Sequence, residues 1–197
     1  MSHRRDIVGE LEQAAAGGAQ FDCLAITGGE PLLHKESVVA FVRSAKELYS
    51  DVHIRLYTCG DLLDDPCLDA LADAGLDEVR FSIKPEDVAR PDAPVFGRIE
   101  AAVSSLPDVV VEMPVIPGTL SEMQELLVRL DDMGVRGVNL LAFRFPLRNS
   151  VAFRDRGLEL RKHPFNYFHD YWYGGRVPRA GTRAEAPTFV EPAARVI

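Results

Sequence analysis

Apolar positions along this chain change period again and again, and each change falls at a glycine, a proline or an acidic cap. From Asp6, Ile7, Val8, Leu11 and Ala15 recur at helical spacing, with Asp6 as N-cap and Gly17-Gly18 as the stop. A short apolar run, Cys23 to Ile26, follows as a buried strand and breaks off at Thr27-Gly28-Gly29-Glu30-Pro31. Val38, Phe41, Val42, Ala45, Leu48 and Tyr49 then return to helical spacing, and residues 52–58 alternate as a strand. In the next unit Asp65 is expected to cap, Pro66 to occupy the first helical position and Gly75 to end the helix, with a strand over 78–83 straight after.

A helix over 94–105 is predicted from the common face of Phe96, Ile99, Ala102 and Val103, and a strand over 109–115 from VVVEMPV. Thr119 with Glu122 reads as a capping box for a helix carrying Met123, Leu126, Leu127 and Leu130, closed by Gly134. Residues 137–143 form the last strand. Five strands thus begin roughly 25–30 residues apart, each beside one helix, which fits right-handed βα units of a parallel sheet or barrel. The units share architecture and no sequence similarity.

After Phe145 the pattern fades. Residues 163–173 (HPFNYFHDYWY) are aromatic-rich, a substrate wall or a plug for the barrel, and 174–197 have no period. The expected organisation is a partial α/β barrel over 1–149 and an extension over 150–197, aromatic-rich and then disordered.

Composition narrows the function classes. The formal net charge is −8, yet residues from 144 onward carry ten Lys+Arg against five Asp+Glu. An acidic body disfavours phosphate neutralisation, and no dense basic block reverses this, so nucleic acid is not an expected partner. No apolar run approaches the ~20 residues of a membrane span, and the N-terminus lacks the apolar middle of a signal peptide. A cytoplasmic protein with reduced thiols is expected, because Cys23, Cys59 and Cys67 are an odd, scattered set.

Chemistry is expected at the carboxyl ends of the strands, where βα loops collect ligands. Gly28 and Gly29 remove two Cβ atoms and admit a ligand to the main chain, Glu30 offers a carboxylate to a cationic group, and Pro31 stiffens the exit. The loop suits a small polar ligand bearing an ammonium. A phosphorylated metabolite is disfavoured because Glu30 would repel it. A lone Glu112 on an apolar strand is a functional candidate, since burying it unpaired is costly; an internal Glu112–Arg80 pair is the ordinary alternative. His34 and His53 read as surface residues.

Gly28-Gly29-Glu30-Pro31, preceded by Ala25-Ile26-Thr27, resembles the GGEP motif of the radical S-adenosylmethionine (radical SAM) enzymes. The resemblance extends from about Asp6 to Asn149: Leu56-Tyr57-Thr58-Cys59-Gly60 is similar to the family's third strand, with Cys59 where Asn is frequent, and residues 74–81 to its fourth. Residues 111–118 and Val138-Asn139-Leu140 resemble the fifth and sixth strands of a subset of small members. It implies a (βα) barrel of the radical SAM type, about five units of it here, and S-adenosylmethionine as cofactor. In that frame Gly29 and Glu30 would bind the cofactor's amino group, with Thr58 at the next strand end. Ser82 or Lys84 would hold its carboxylate or ribose, Glu112 a ribose hydroxyl or substrate group, and the adenine would lie near Asn139.

The family also implies a [4Fe–4S] cluster on a C-x3-C-x2-C loop after the first strand. This chain has neither the motif nor a convincing first strand, and its cysteines lack metal-ligand spacing. The implied alternatives are a missing N-terminal segment, a partner chain that supplies the cluster, or a family member that binds without catalysis. Without the first strand, the edge of the GGEP-bearing strand would be open to pairing with another chain.

Overall fold

In the computed structural model, which describes residues 6–83, 90, 92–116, 118–142, 155 and 157, strands and helices alternate as the periodicity requires. The order is α1 (Ile7–Ala16), β1 (Cys23–Ile26), a 3-10 turn (Pro31–His34), α2 (Lys35–Leu48), β2 (His53–Thr58), α3 (Asp65–Asp73) and β3 (Glu78–Ser82). Then come α4 (Pro94–Ser105), β4 (Asp108–Val115), α5 (Leu120–Asp132) and β5 (Gly137–Ala142). The strands form one sheet in the order β1-β2-β3-β4-β5. Pairing is parallel from β1 to β4, with Ala25 beside Arg55, Arg55 beside Glu78, and Glu78 beside Asp108.

Two compact units are distinguished. The first holds residues up to Met113 together with Glu122–Asn139; the second holds Pro114–Ser121 and the residues from Leu140 onward. In the second unit, a turn places the Thr119 hydroxyl 2.9 Å from the Ile116 carbonyl, to which it donates, with Gly118 at φ +83°. The 150–197 extension expected from sequence lies outside the described residues, Asp155 and Gly157 excepted.

Local signals explain the boundaries in the first unit. Asp6 accepts a bond from the Gly9 amide at 3.0 Å and caps α1. At α3 the cap is Asp64, one residue earlier than expected: its carboxylate accepts from the Cys67 amide at 3.0 Å, and Asp65 becomes the first helical residue, followed by Pro66. Either aspartate satisfies the sequence rule, and the position of the proline permits both. At the amino ends of the strands, Lys46 Nζ donates to the Val52 carbonyl (2.7 Å) and to Asp77 (3.0 Å), whose other oxygen accepts from the Ile54 amide (2.7 Å).

Alternation divides the sheet into two faces. Ile54, Leu56, Val79, Phe81, Val109 and Val111 are buried in one core with Val42, Ala45, Leu71, Ile99 and Leu130 from the helices. Each large apolar side chain there contributes about 1.5–3 kcal/mol by burial. The opposite face presents Cys23 and Ala25, then His53, Arg55 and Tyr57, then Glu78, Arg80 and Ser82, then Asp108, Val110 and Glu112. That face is polar and mostly half-exposed. It is what a parallel sheet of barrel type turns inward, and it runs up to the GGEP loop at the carboxyl end of β1.

Candidate functional site

Thr27-Gly28-Gly29-Glu30 leaves β1 as an exposed turn, in which Gly28 takes φ +109°. A Cβ added at Gly28 or Gly29 would meet nothing within 4 Å, so their bareness opens onto free space rather than relieving internal crowding. Glu30 then fixes the loop. Its Oε1 accepts from the Leu32 amide at 3.0 Å, capping the 3-10 turn, and from the Thr58 hydroxyl at 2.8 Å. Oε2 accepts from the Cys59 amide at 2.9 Å. The Gly60 amide in turn donates to Thr58 Oγ1 at 3.0 Å, so the carboxyl ends of β1 and β2 are stitched through one carboxylate.

Burial of Glu30 pushes its pKa up, but the bonds from Cys59, Thr58 and Leu32 outweigh this and hold it below the ordinary glutamate range. The group is therefore an anion at neutral pH. Beside it, burial first and the Glu30 carboxylate second push the Cys59 thiol up, which keeps that thiol protonated. The Leu32 amide, the Thr58 hydroxyl and the Cys59 amide and thiol all converge on the Glu30 carboxylate, which carries its negative charge at the mouth of the loop.

A cavity of about 450 Å3 opens against this loop, lined by Thr27, Gly28, Gly29, Glu30, Tyr57, Thr58, Cys59 and Ser82. Five of the residues singled out from sequence thus meet in one place: Gly28, Gly29, Glu30, Thr58 and Ser82. Thr58 is 3 % exposed and serves Glu30 with its hydroxyl. Pro31 is not in this lining; it starts the 3-10 turn and lines a separate apolar groove with Ile7, Val8, Ala25 and Phe41. Lys84 lies outside the described residues. Tyr57 was missed, although its place in the β2 alternation puts it on the polar face one residue before Thr58.

Glu112 and Asn139 are not part of that lining either. Glu112 Oε1 accepts from Arg80 Nη1 and from Asn139 Nδ2, each at 2.9 Å, so the internal ion pair weighed from sequence is formed and Asn139 completes it. Arg80 also binds Glu78 through Nε, and Glu78 Oε2 lies 2.9 Å from His53 Nε2. His53, read as a surface residue, is thus half-exposed and tied into a polar chain across β2, β3, β4 and β5. Burial opposes the Arg80 charge, yet Glu78 and Glu112 outweigh it and raise its pKa; burial likewise raises Glu78, and the bonds from Arg80 and His53 bring it below its ordinary range. The Arg80 guanidinium also stands 5.4 Å from the centre of the Tyr57 ring, which links the chain to the cavity.

The cysteines do not converge. Cys23 is exposed on β1, Cys59 sits in the loop after β2, and Cys67 is buried in α3. Among the described residues no group of three His, Cys, Asp or Glu side chains is placed to hold a metal. An iron–sulfur cluster therefore does not fit the donor set of this chain. A small polar ligand with an ammonium does fit the loop, because an anionic carboxylate, two bare glycines and an aromatic ring border the same cavity.

A βα-repeat sheet with a glycine loop and a cavity at the carboxyl end of its first strand defines an α/β protein of barrel type. The chain belongs to the radical SAM superfamily, whose family model matches residues 4–130. Members use S-adenosylmethionine and a [4Fe–4S] cluster. It is 27% identical over 138 residues to a Methanocaldococcus jannaschii protein described as a candidate glycyl-radical enzyme activating enzyme, a match covering 67% of this chain and 36% of that one. The chain thus spans about a third of the length of this curated relative. Two crystal structures of SuiB from Streptococcus suis, one bound to S-adenosylmethionine, share the fold at TM-score 0.55 and 16% identity, over 68% of this chain and 32% of theirs.

Proposed function

We propose that this chain is the S-adenosylmethionine-binding portion of a radical SAM enzyme. The observation that carries the reading is the Glu30-anchored glycine loop on a cavity of about 450 Å3, a volume ordinary for a cofactor of this size. The ammonium of the cofactor would meet the Glu30 carboxylate and the main chain of Gly28 and Gly29. Tyr57 offers a ring face, and Ser82 a hydroxyl for a carboxylate or ribose oxygen. Glu112 and Asn139, expected near the ribose and adenine, are bonded to each other and Glu112 to Arg80, outside the lining of this cavity. When a cluster-bearing segment or partner chain joins this one, the reaction expected of the family is reductive cleavage of S-adenosylmethionine and hydrogen abstraction from a substrate.

A second reading has its own support. The separated thiols of Cys23, Cys59 and Cys67 suit a protein that keeps the cofactor loop and acts as a cluster-free binding or partner protein. Under either reading S-adenosylmethionine binds. Titration calorimetry with S-adenosylmethionine tests the shared claim: wild-type protein should bind, and Glu30→Gln should weaken binding about tenfold or more through loss of a charged contact. Equal affinity for the two proteins would refute the site. Release of 5′-deoxyadenosine on anaerobic reduction, after the chain is joined to a C-x3-C-x2-C segment and loaded with iron and sulfide, separates the two readings. Cleavage establishes the enzyme, and binding without cleavage favours the partner protein.

A further inference from the structure

Among the described residues, strands β2 and β3 each place one guanidinium group on the polar face of the sheet, and the two are treated very differently. Arg80 is held between two carboxylates, Glu78 and Glu112. Arg55, half-buried on β2 between His53 and Tyr57, has no hydrogen-bond or ion-pair partner among the described residues, and its Nε is buried without one. Its neighbours explain the isolation. Glu78, beside it on β3, has one oxygen taken by Arg80 Nε and the other by His53 Nε2. Ala25, beside it on β1, ends at Cβ and is exposed, which leaves open room on that flank.

An arginine stays charged at any physiological pH, so a buried, unpaired guanidinium nitrogen marks a place where an acceptor belongs. Tyr57, two residues further along β2 and on the same face, lines the cofactor cavity, about 7 Å away along the strand. From these observations we infer that Arg55 anchors a carboxylate of the substrate, laid on the open face over Ala25 beside the cofactor cavity. A planar monoanion matches the guanidinium fork with two parallel bonds. A phosphate dianion fits worse, because Glu78 stands in register beside Arg55 and would repel the second charge.

This inference rests on reading the adjoining cavity as the cofactor site, so its test follows the two ligands separately. The Nε–Hε resonance of Arg55 in 15N-labelled full-length chain, assigned by its loss in Arg55→Lys, is titrated with sodium acetate, with inorganic phosphate, and with S-adenosylmethionine. Acetate should move it saturably, phosphate should do so more weakly, and the acetate response should persist with S-adenosylmethionine bound. Backbone amides of Ala25 and Glu78 should report the same titration, and Arg55→Lys should need about tenfold more acetate. No saturable response to acetate would overturn the inference. A response to S-adenosylmethionine that blocks acetate would overturn it too, by giving the carboxylate to the cofactor. Failure of S-adenosylmethionine to bind, with the acetate response intact, would remove the cofactor reading and leave the Arg55 anion site standing.

Discussion

Replacing Glu30 by Gln removes one charge and one acceptor while keeping the shape of the side chain, and the three bonds of Glu30 fix what must follow. If the amide oxygen takes the place of Oε1, it keeps the Leu32 amide and the Thr58 hydroxyl, and its NH2 then faces the Cys59 N–H, donor against donor. If the amide is turned over, Cys59 is satisfied and the Leu32 N–H is left facing a donor. Thr58 can rotate to accept, but a backbone N–H cannot. One bond to a charged acceptor, worth about 1.5–3 kcal/mol, is lost in either arrangement, and the surviving ones weaken to neutral strength.

Because Glu30 is partly solvated, we expect a net loss of about 2–3 kcal/mol, which for a chain of this size lowers Tm by roughly 5–10 °C. Urea unfolding followed by circular dichroism gives the first quantity, with m unchanged if the native and denatured states keep their compactness. Amide exchange at Cys59 gives the second view and should accelerate in the variant. A Glu30→Gln protein within about 0.5 kcal/mol of wild type, or an unaltered Cys59 exchange rate, would refute the claim that this carboxylate joins β1 to β2.

Three further outcomes follow from the same contacts. Gly60 has φ +82°, and a Cβ there would lie 2.7 Å from Cε1 of the fully buried Phe81, so Gly60→Ala should cost about 2–5 kcal/mol in chemical denaturation, strain and overpacking together. Arg80→Met strands Glu78 and Glu112 without their cation; a loss of about 3–5 kcal/mol is expected, and a loss under 1 kcal/mol would show that His53 and Asn139 suffice. Stability should also depend on pH through Glu30 and Glu78, whose folded pKa values are depressed. Their contribution is fully present above the unfolded value of about 4.3 and is lost as pH falls through the folded values, so the curve should be flat from pH 7 to 5 and fall below about 4. The Glu30→Gln/Glu78→Gln double variant should show a shallower fall, and an identical slope would contradict the assignment.

Periodicity and punctuation carried most of the fold. The helix over 94–105 was legible from Pro94 and the spacing of Phe96, Ile99 and Ala102, because both are local properties of the chain. The glycine loop was legible for the same reason. The 3-10 turn at Pro31–His34 was not, since it depends on Glu30 reaching the Leu32 amide, a bond that helical spacing does not encode. Pairing between strands was the other gap. Alternation puts Tyr57, Arg80 and Glu112 on one face, but only the register decides that Arg80 spans Glu78 and Glu112 while Arg55 spans nothing. A lone strand carboxylate could be identified as needing a partner; that Glu112 would share Arg80 with Glu78 and receive Asn139 is a fact of tertiary structure.

The two halves of the site are connected by β2, and this connection decides how a change in one half reaches the other. Odd positions of that strand, His53, Arg55 and Tyr57, face the polar chain and the cavity, while Ile54 and Leu56 are locked in the core and Thr58 is tied to Glu30. A strand pinned in this way cannot slide: a shift of one residue would send Ile54 and Leu56 out of the core and forfeit several kcal/mol of burial. Under the proposed function, ligand binding at the glycine loop would therefore act on side chains, not on strand register. Tyr57 is the residue best placed to pass it on, since its ring lines the cavity and lies under the Arg80 guanidinium. Tyr57→Leu should accordingly weaken S-adenosylmethionine binding while leaving urea stability within about 1 kcal/mol, because the ion pairs of Arg80 with Glu78 and Glu112 do not depend on the ring. Calorimetry and unfolding on the same preparation read both quantities, and a variant that loses stability with unchanged affinity would reverse this assignment and make Tyr57 a packing residue of the polar face.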